Sequence, residues 1–225
     1  MTNIRKLMAR LNPGSAQYGM IVRGGIPDLT TEDIAGALGM VPQGLGREIL
    51  CHIWWPDGAR TTRAELLSAL TQAQFDEWSR LADQLRAAQL AEHLAEHDGR
   101  GSLRRARRDL ETARAQMWPA IGPRSRYGAI RLAVLTEMAA PNLCTHCAGR
   151  GNLMLETVLV ACAHCKGLGR VGISGRKRAA AIGCDESTYR EGWQLPYEYL
   201  HELCVTAEQD AAICMSEALG QRIAA

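Results

Sequence analysis

From Thr62 to about Leu94 the chain has no Gly or Pro, and Leu67, Leu70, Trp78, Leu81 and Leu85 recur at helical intervals between polar residues. That spacing predicts one long helix with a buried face. "LTTEDIAGALGM" predicts an earlier one: Thr30 or Thr31 can cap it, and Glu32 and Asp33 suit the positive end of its dipole. Pro42, Gly44 and Gly46 interrupt the pattern, "REILCHIWW" is apolar enough for a core, and Pro56-Asp57-Gly58 makes a turn. After "HDGRGS", "LRRARRDLETARAQMW" predicts a helix with Arg104, Arg105, Arg107 and Arg108 facing solvent, and "RYGAIRLAVLTEMAA" a more apolar one. A last long helix runs from about Pro196 to Leu219. Residues 1–28 mix charge with Gly and Pro without a sustained period and are expected to form an arm, disordered in part.

Composition narrows the class. A length of 225 residues allows one sizeable domain or two small ones, and aromatics are few. The net charge of +2 announces neither nucleic acid nor membrane. No run of eighteen apolar residues exists for a membrane span. The opening "MTNIRKLMARLNPGS" lacks a signal-peptide core, which points to the cytoplasm. In that reducing compartment the eight cysteines are not a disulfide scaffold, and clustered ones are metal ligands.

Four of the eight are clustered. "CTHCAGRG" and "CAHCKGLG" repeat one unit, giving Cys144, Cys147, Cys162 and Cys165 as two Cys-x-x-Cys pairs with fourteen residues between the inner cysteines. Four thiolates suit a closed tetrahedral zinc site. Gly149, Gly151, Gly167 and Gly169 are expected to supply the left-handed turns behind each pair. "NLMLETVLVA" between the pairs predicts a two-stranded β-hairpin. A redox dithiol needs one activated pair, not two matched ones. His146 and His164 are read as surface residues, and Cys51, Cys184, Cys204 and Cys214, at apolar helical positions, as small core residues.

Two motifs do not carry chemistry. "GLGRVG" fits a dinucleotide fingerprint but does not leave a strand for a helix, and its first two glycines already belong to the cysteine unit. "HLAEH", His93 to His97, fits an inverted metalloprotease motif but sits at the charged end of a helix. No Ser-His-Asp or Cys-His set stands out, so no catalytic residue is assigned.

"GRKRAAAIGCDESTYREGWQLP" reads as a helix-turn-helix. Ala179 and Gly183, four apart, are its small residue and turn glycine, and Asp185 can cap the second helix. Tyr189 and Trp193 should bury. Ser187, Arg190, Glu191 and Gln194 share the opposite face, where they can reach base edges, and Thr188 can meet phosphate. Arg170, Arg176, Lys177 and Arg178 supply positive charge for the DNA backbone.

With this block, "GRKRAA", "TYREGWQLPYEYLHELC" and the N-terminal "LTTEDIAGALGM", "QGLG" and "ILC", the chain resembles the lambda-type late-gene antitermination protein Q family of bacteriophages from about residue 28, apart from a longer, more charged middle over 60–125. The resemblance implies a non-enzyme in the cytoplasm of a bacterial host. Such a protein binds double-stranded DNA at the late promoter through a helix-turn-helix beside a zinc-bound insert. It engages paused, sigma-containing RNA polymerase at the β flap and sigma region 4, and makes it read through terminators with NusA. By position, Cys144, Cys147, Cys162 and Cys165 hold Zn2+, and Arg176, Lys177, Arg178, Ser187, Thr188 and Arg190 face DNA. The expected fold is therefore mainly α: a helical bundle with a helix-turn-helix and an inserted zinc-bound β-hairpin with four cysteine ligands. The arm covers 1–28, a helical core 29–140, the zinc insert 141–173, and the helix-turn-helix with a C-terminal helix packed on the core 174–225. The competing readings are a zinc-dependent helix-turn-helix repressor and a chaperone-type cysteine-rich module; the latter normally carries four such units and a J domain with a His-Pro-Asp signature, and no "HPD" occurs here.

Overall fold

A computed structural model describes residues 4, 7, 8, 11, 30–97, 102–122, 125–139, 144, 146–147, 152–155, 158–166 and 171–223. The protein is mainly helical. In chain order it forms α1 (Thr31–Met40), α2 (Leu45–Trp54), a short 3-10 turn (Pro56–Gly58), α3 (Arg63–His97), α4 (Leu103–Gln116) and α5 (Tyr127–Ala139). Strands β1 (Asn152–Leu155) and β2 (Val158–Ala161) follow, then α6 (Gly175–Ala181). One α-turn (Glu186–Thr188) and one π-turn (Tyr189–Trp193) lead without a break into α7 (Gln194–Ile223). No helix among the described residues is long and apolar enough to cross a membrane.

The helix starts follow local chemistry. Thr30, not Thr31, caps α1: its hydroxyl accepts the Asp33 N–H at 3.2 Å and the Asp33 carboxylate accepts the Thr30 N–H at 3.0 Å. Thr62 and Glu65 repeat the arrangement at α3, with the Thr62 N–H donating to Glu65 at 2.7 Å. The π-turn also has a cause. Pro196 offers no N–H to the carbonyl four residues back, Gly192, and its ring crowds that carbonyl. The chain widens just before it, and the Gln194 N–H donates to the Tyr189 carbonyl instead.

The chain divides into two compact units, 1–75 with 198–225, and 76–197. These bounds differ from the sequence expectation because α3 and α7 each contribute to both units. The first unit is built around Ile34, Leu38, Leu50, Cys51 and Met215, all at most 2% exposed. Ile4, Leu7 and Met8 are helical and buried in the same cluster, which corrects the expectation of an arm at those positions; most of the remainder of 1–28 lies outside the described residues. Gly46 lets α2 meet α7 closely: a Cβ there would stand 2.0 Å from the Ala207 carbonyl oxygen. Glu208, 1% exposed, accepts the Trp54 indole N–H at 3.0 Å.

Glu48 ties α2 to the start of α3. Its carboxylate accepts the Arg60 and Thr61 N–H groups and the Thr61 hydroxyl at 2.9–3.0 Å, and pairs with Arg47 at 2.8 Å. Burial pushes this carboxyl up, but the Thr61, Arg60 and Arg47 donors outweigh it and hold it below its ordinary range. The stabilisation is therefore complete above the unfolded value of about 4.3 and is lost as pH falls through the lower folded value. Glu48→Gln leaves the buried Arg47 without its counter-charge and should cost about 1–3 kcal/mol at neutral pH. In urea unfolding the gap to the wild type should close on acidification below about pH 4; a gap independent of pH would show that the carboxylate charge contributes nothing.

Candidate metal centre and helix pair

The second unit holds both candidate sites. The Sγ atoms of Cys144, Cys147, Cys162 and Cys165 lie within 4.8 Å of one another, and all four residues are buried. Cys144 and Cys162 sulfurs are 4.0 Å apart, and those of Cys147 and Cys165 3.7 Å apart. An ion bound by four sulfurs at about 2.3 Å in a tetrahedron spaces them about 3.8 Å apart, so the cluster can hold a metal ion with little adjustment. The strands bring the pairs together: β1 and β2 run antiparallel, with Asn152 opposite Ala161 and Leu155 opposite Val158. The pairs are related in form as well as in sequence. In each, the second cysteine's sulfur lies 3.9–4.0 Å from the first one's carbonyl oxygen. His146 and His164 occupy matching positions and stack with ring centroids 5.0 Å apart. Both are exposed, as read from the sequence.

Around the sulfurs the described residues supply almost no core. Leu153 alone packs on them among the described residues. The expected left-handed glycines Gly149, Gly151, Gly167 and Gly169 lie outside those residues; within the cysteine block the described left-handed position is Lys166, at φ +52°. The other cysteines differ in kind. Burial pushes the Cys51 thiol up to about 11 and the Cys204 thiol up to about 12, so both stay protonated core residues. Cys184 and Cys214 are half-buried.

After the cysteines, Ser174 caps α6 by accepting the Lys177 N–H. The helix ends where Gly183 turns left-handed at φ +71°, with the Cys184 N–H donating to the Ala179 carbonyl at 3.0 Å. Asp185 then caps the next turn, accepting the Thr188 N–H at 2.9 Å and the Thr188 and Ser187 hydroxyls at 2.8 and 3.0 Å. These donors hold the Asp185 carboxyl far below its ordinary range. Ala179, Tyr189 and Trp193 are buried. Tyr189 meets Tyr197 edge-on at 6.0 Å and Trp193 meets Tyr127 at 5.3 Å.

The residues expected at DNA separate into groups. Arg176 and Lys177 are exposed on α6. Ser187 and Arg190 are exposed and Thr188 and Gln194 half-buried, but the Ser187 and Thr188 hydroxyls are spent on Asp185, and Arg190 pairs with Glu186 one turn back at 2.5 Å. Arg170 lies outside the described residues. Arg178 points inward instead. Its guanidinium donates twice to Glu137 of α5, at 2.7 and 3.0 Å, and lies 4.9 Å over the Tyr197 ring. Tyr197 donates its hydroxyl to the same carboxylate at 2.8 Å. Burial works against the Arg178 charge, yet Glu137 more than compensates and holds it protonated. The expectation of Arg178 at phosphate is thus replaced by an internal bond that joins α5, α6 and α7. Glu137 and Tyr197 had no local signal of this role, since their partner is 41 residues from one and 19 from the other in the chain.

No protein family, curated protein or solved structure matches this chain.

Proposed function

We propose that the chain is a zinc-stabilised, DNA-binding transcription regulator of the phage antiterminator kind. The observation that carries this reading is the gathering of four buried sulfurs at tetrahedral spacing in the same unit as a short basic helix, a left-handed glycine turn and a capped second helix. Four soft thiolates with no open position favour zinc over harder ions and favour structure over catalysis. The ion closes the β-hairpin, and α6 with the helix after it acts as a helix-turn-helix on duplex DNA. Arg176 and Lys177 meet phosphates while Arg190, Gln194 and Glu191 address base edges. The Arg190–Glu186 pair is exposed and worth at most about 1 kcal/mol, so Arg190 can exchange that partner for DNA. The finer reading follows the resemblance: late-promoter DNA, paused polymerase carrying sigma, contact with the β flap and sigma region 4, and readthrough with NusA.

In vitro transcription from the phage late promoter, with a downstream terminator, tests the whole proposal. Saturating protein should leave initiation intact and raise transcription beyond the terminator. Reduced initiation would identify a repressor, and no effect on either step would reject both. At the level of binding, Arg190→Ala should weaken the specific complex by about 1–3 kcal/mol while metal content stays constant, as read by fluorescence anisotropy and elemental analysis.

A further inference from the structure

Helix α4 is seated by one narrow apolar edge. Leu110 is buried at 3% exposure and Leu103, Ala106 and Ala113 are half-buried, while the rest of the helix is almost wholly exposed. At about 100° per residue, Arg104, Arg105, Arg108 and Thr112 fall within a sector of about 100° directly opposite that edge. The two acids of the helix, Asp109 and Glu111, flank the sector. Of the arginines, Arg107 is committed to Glu92 and Glu96 of α3 at 3.5 and 3.2 Å. Arg105 makes a loose 3.9 Å pair with Asp109. Arg104 and Arg108, one turn apart, have no carboxylate within salt-bridge distance among the described residues.

Charges on a surface helix are ordinarily interleaved with opposite ones, because like charges at this spacing repel. Here the neutralising acids lie at the sides and one arginine already holds the helix in place, leaving a cationic ridge in which Arg104 and Arg108 meet no carboxylate among the described residues. The far end of α4 is fixed. Three residues beyond it, the Pro119 carbonyl accepts the Tyr127 hydroxyl at 2.6 Å and the Trp78 indole at 3.2 Å, and a Cβ on Gly192 would stand 3.4 Å from the Pro119 ring. Gly192 lies in the π-turn of the helix assigned to DNA. Helix α4 is fourteen residues long, so Arg108 and Arg104 stand about 12 and 18 Å along its axis from the end nearest that π-turn, at about 1.5 Å per residue.

We infer that the Arg104–Arg105–Arg108 ridge of α4 is a second DNA-binding surface that takes the phosphate backbone of duplex flanking the segment contacted by α6 and the helix after it. Guanidinium groups bind phosphate through paired hydrogen bonds, and side chains one turn apart can engage neighbouring phosphates without reading sequence. The inference rests on the DNA-binding reading, and the experiment separates the two. Fluorescence anisotropy on a 30-base-pair duplex of mixed sequence gives the dependence of affinity on salt for the full chain and for three double variants. Arg104→Ala/Arg108→Ala should lower the slope of log K against log salt by about two, and so should Arg176→Ala/Lys177→Ala. Arg104→Lys/Arg108→Lys should retain most of it, with circular dichroism unchanged throughout. If the α4 alanine variant keeps the wild-type slope while the α6 variant loses it, the ridge inference is overturned and the DNA reading stands. Loss in the α4 variant alone overturns the assignment of α6 and leaves the ridge. No wild-type binding overturns both. Binding to polyglutamate that the α4 variant abolishes, with duplex binding untouched by that variant, assigns the ridge to an acidic protein and overturns the inference.

Discussion

Cys147→Ser should abolish stoichiometric metal binding and melt the strand pair. The comparison of magnitudes is one-sided. Strands of four residues are marginal in water, and the only apolar side chain packed on the cysteines among the described residues is the partly buried Leu153, worth at most about 1.5–3 kcal/mol. A structural ion in a four-sulfur site contributes on the order of 10 kcal/mol or more. A serine hydroxyl does not ionise at neutral pH to replace a thiolate, so one substitution removes most of what would hold the strand pair together. Elemental analysis of protein purified without chelator should give one metal ion per chain for the wild type and close to none for the variant. Loss of signal from β1 and β2 should accompany it, and a strong chelator should reproduce both changes. Cys51→Ser and Cys204→Ser are the controls. Their thiols are buried elsewhere and held protonated, so metal content should not move even where stability falls. Equal metal content in Cys147→Ser and wild type would remove the site, and with it the scaffold of the proposed function.

The parts that could be read from the sequence are those whose cause is local. Four sulfurs need only the right residues at the right spacing, and the chain between them needs only to return. Gly183 and Asp185 follow the same logic, because a left-handed turn and a helix cap are decided within a few residues. Tyr189 and Trp193, four apart, announce their buried face by periodicity. The parts that could not be read depend on partners distant in the chain. Ile4, Leu7 and Met8 are core residues in a cluster shared with Met215 and Leu219, some two hundred residues on, and a short apolar pattern amid charge and glycine does not disclose that. The π-turn was accessible in principle from Pro196, but the choice between ending a helix and widening it depends on how Tyr189 and Trp193 pack. Arg178 is the clearest case. Beside Arg176 and Lys177 it looks like one more phosphate contact, and its different fate is decided by a glutamate in another helix.

That difference has a measurable size. Arg178 and Glu137 expose only 14% and 9% of their side chains, so removing one leaves the other charged in a poorly solvated place. Truncating one partner of such a pair costs about 3–5 kcal/mol, far more than removing an exposed charge. Arg178→Ala should therefore lower the stability of the 76–197 unit by that amount in chemical denaturation, whereas Arg176→Ala should stay within about 0.5 kcal/mol of the wild type. DNA affinity distinguishes the two in the opposite sense: Arg176→Ala should weaken binding with the fold intact, and Arg178→Ala should affect binding only to the extent that the helix pair loosens. Replacing both charges together, Glu137→Leu with Arg178→Met, should recover most of the stability, because it removes the stranded charge along with the bond. Tyr197 would still lose its acceptor, so recovery should stop short by about 1 kcal/mol. If Arg178→Ala unfolds at the wild-type midpoint and loses DNA affinity, the side chain is free to reach phosphate, and the link from α5 through α6 to α7 does not hold the helix pair in place.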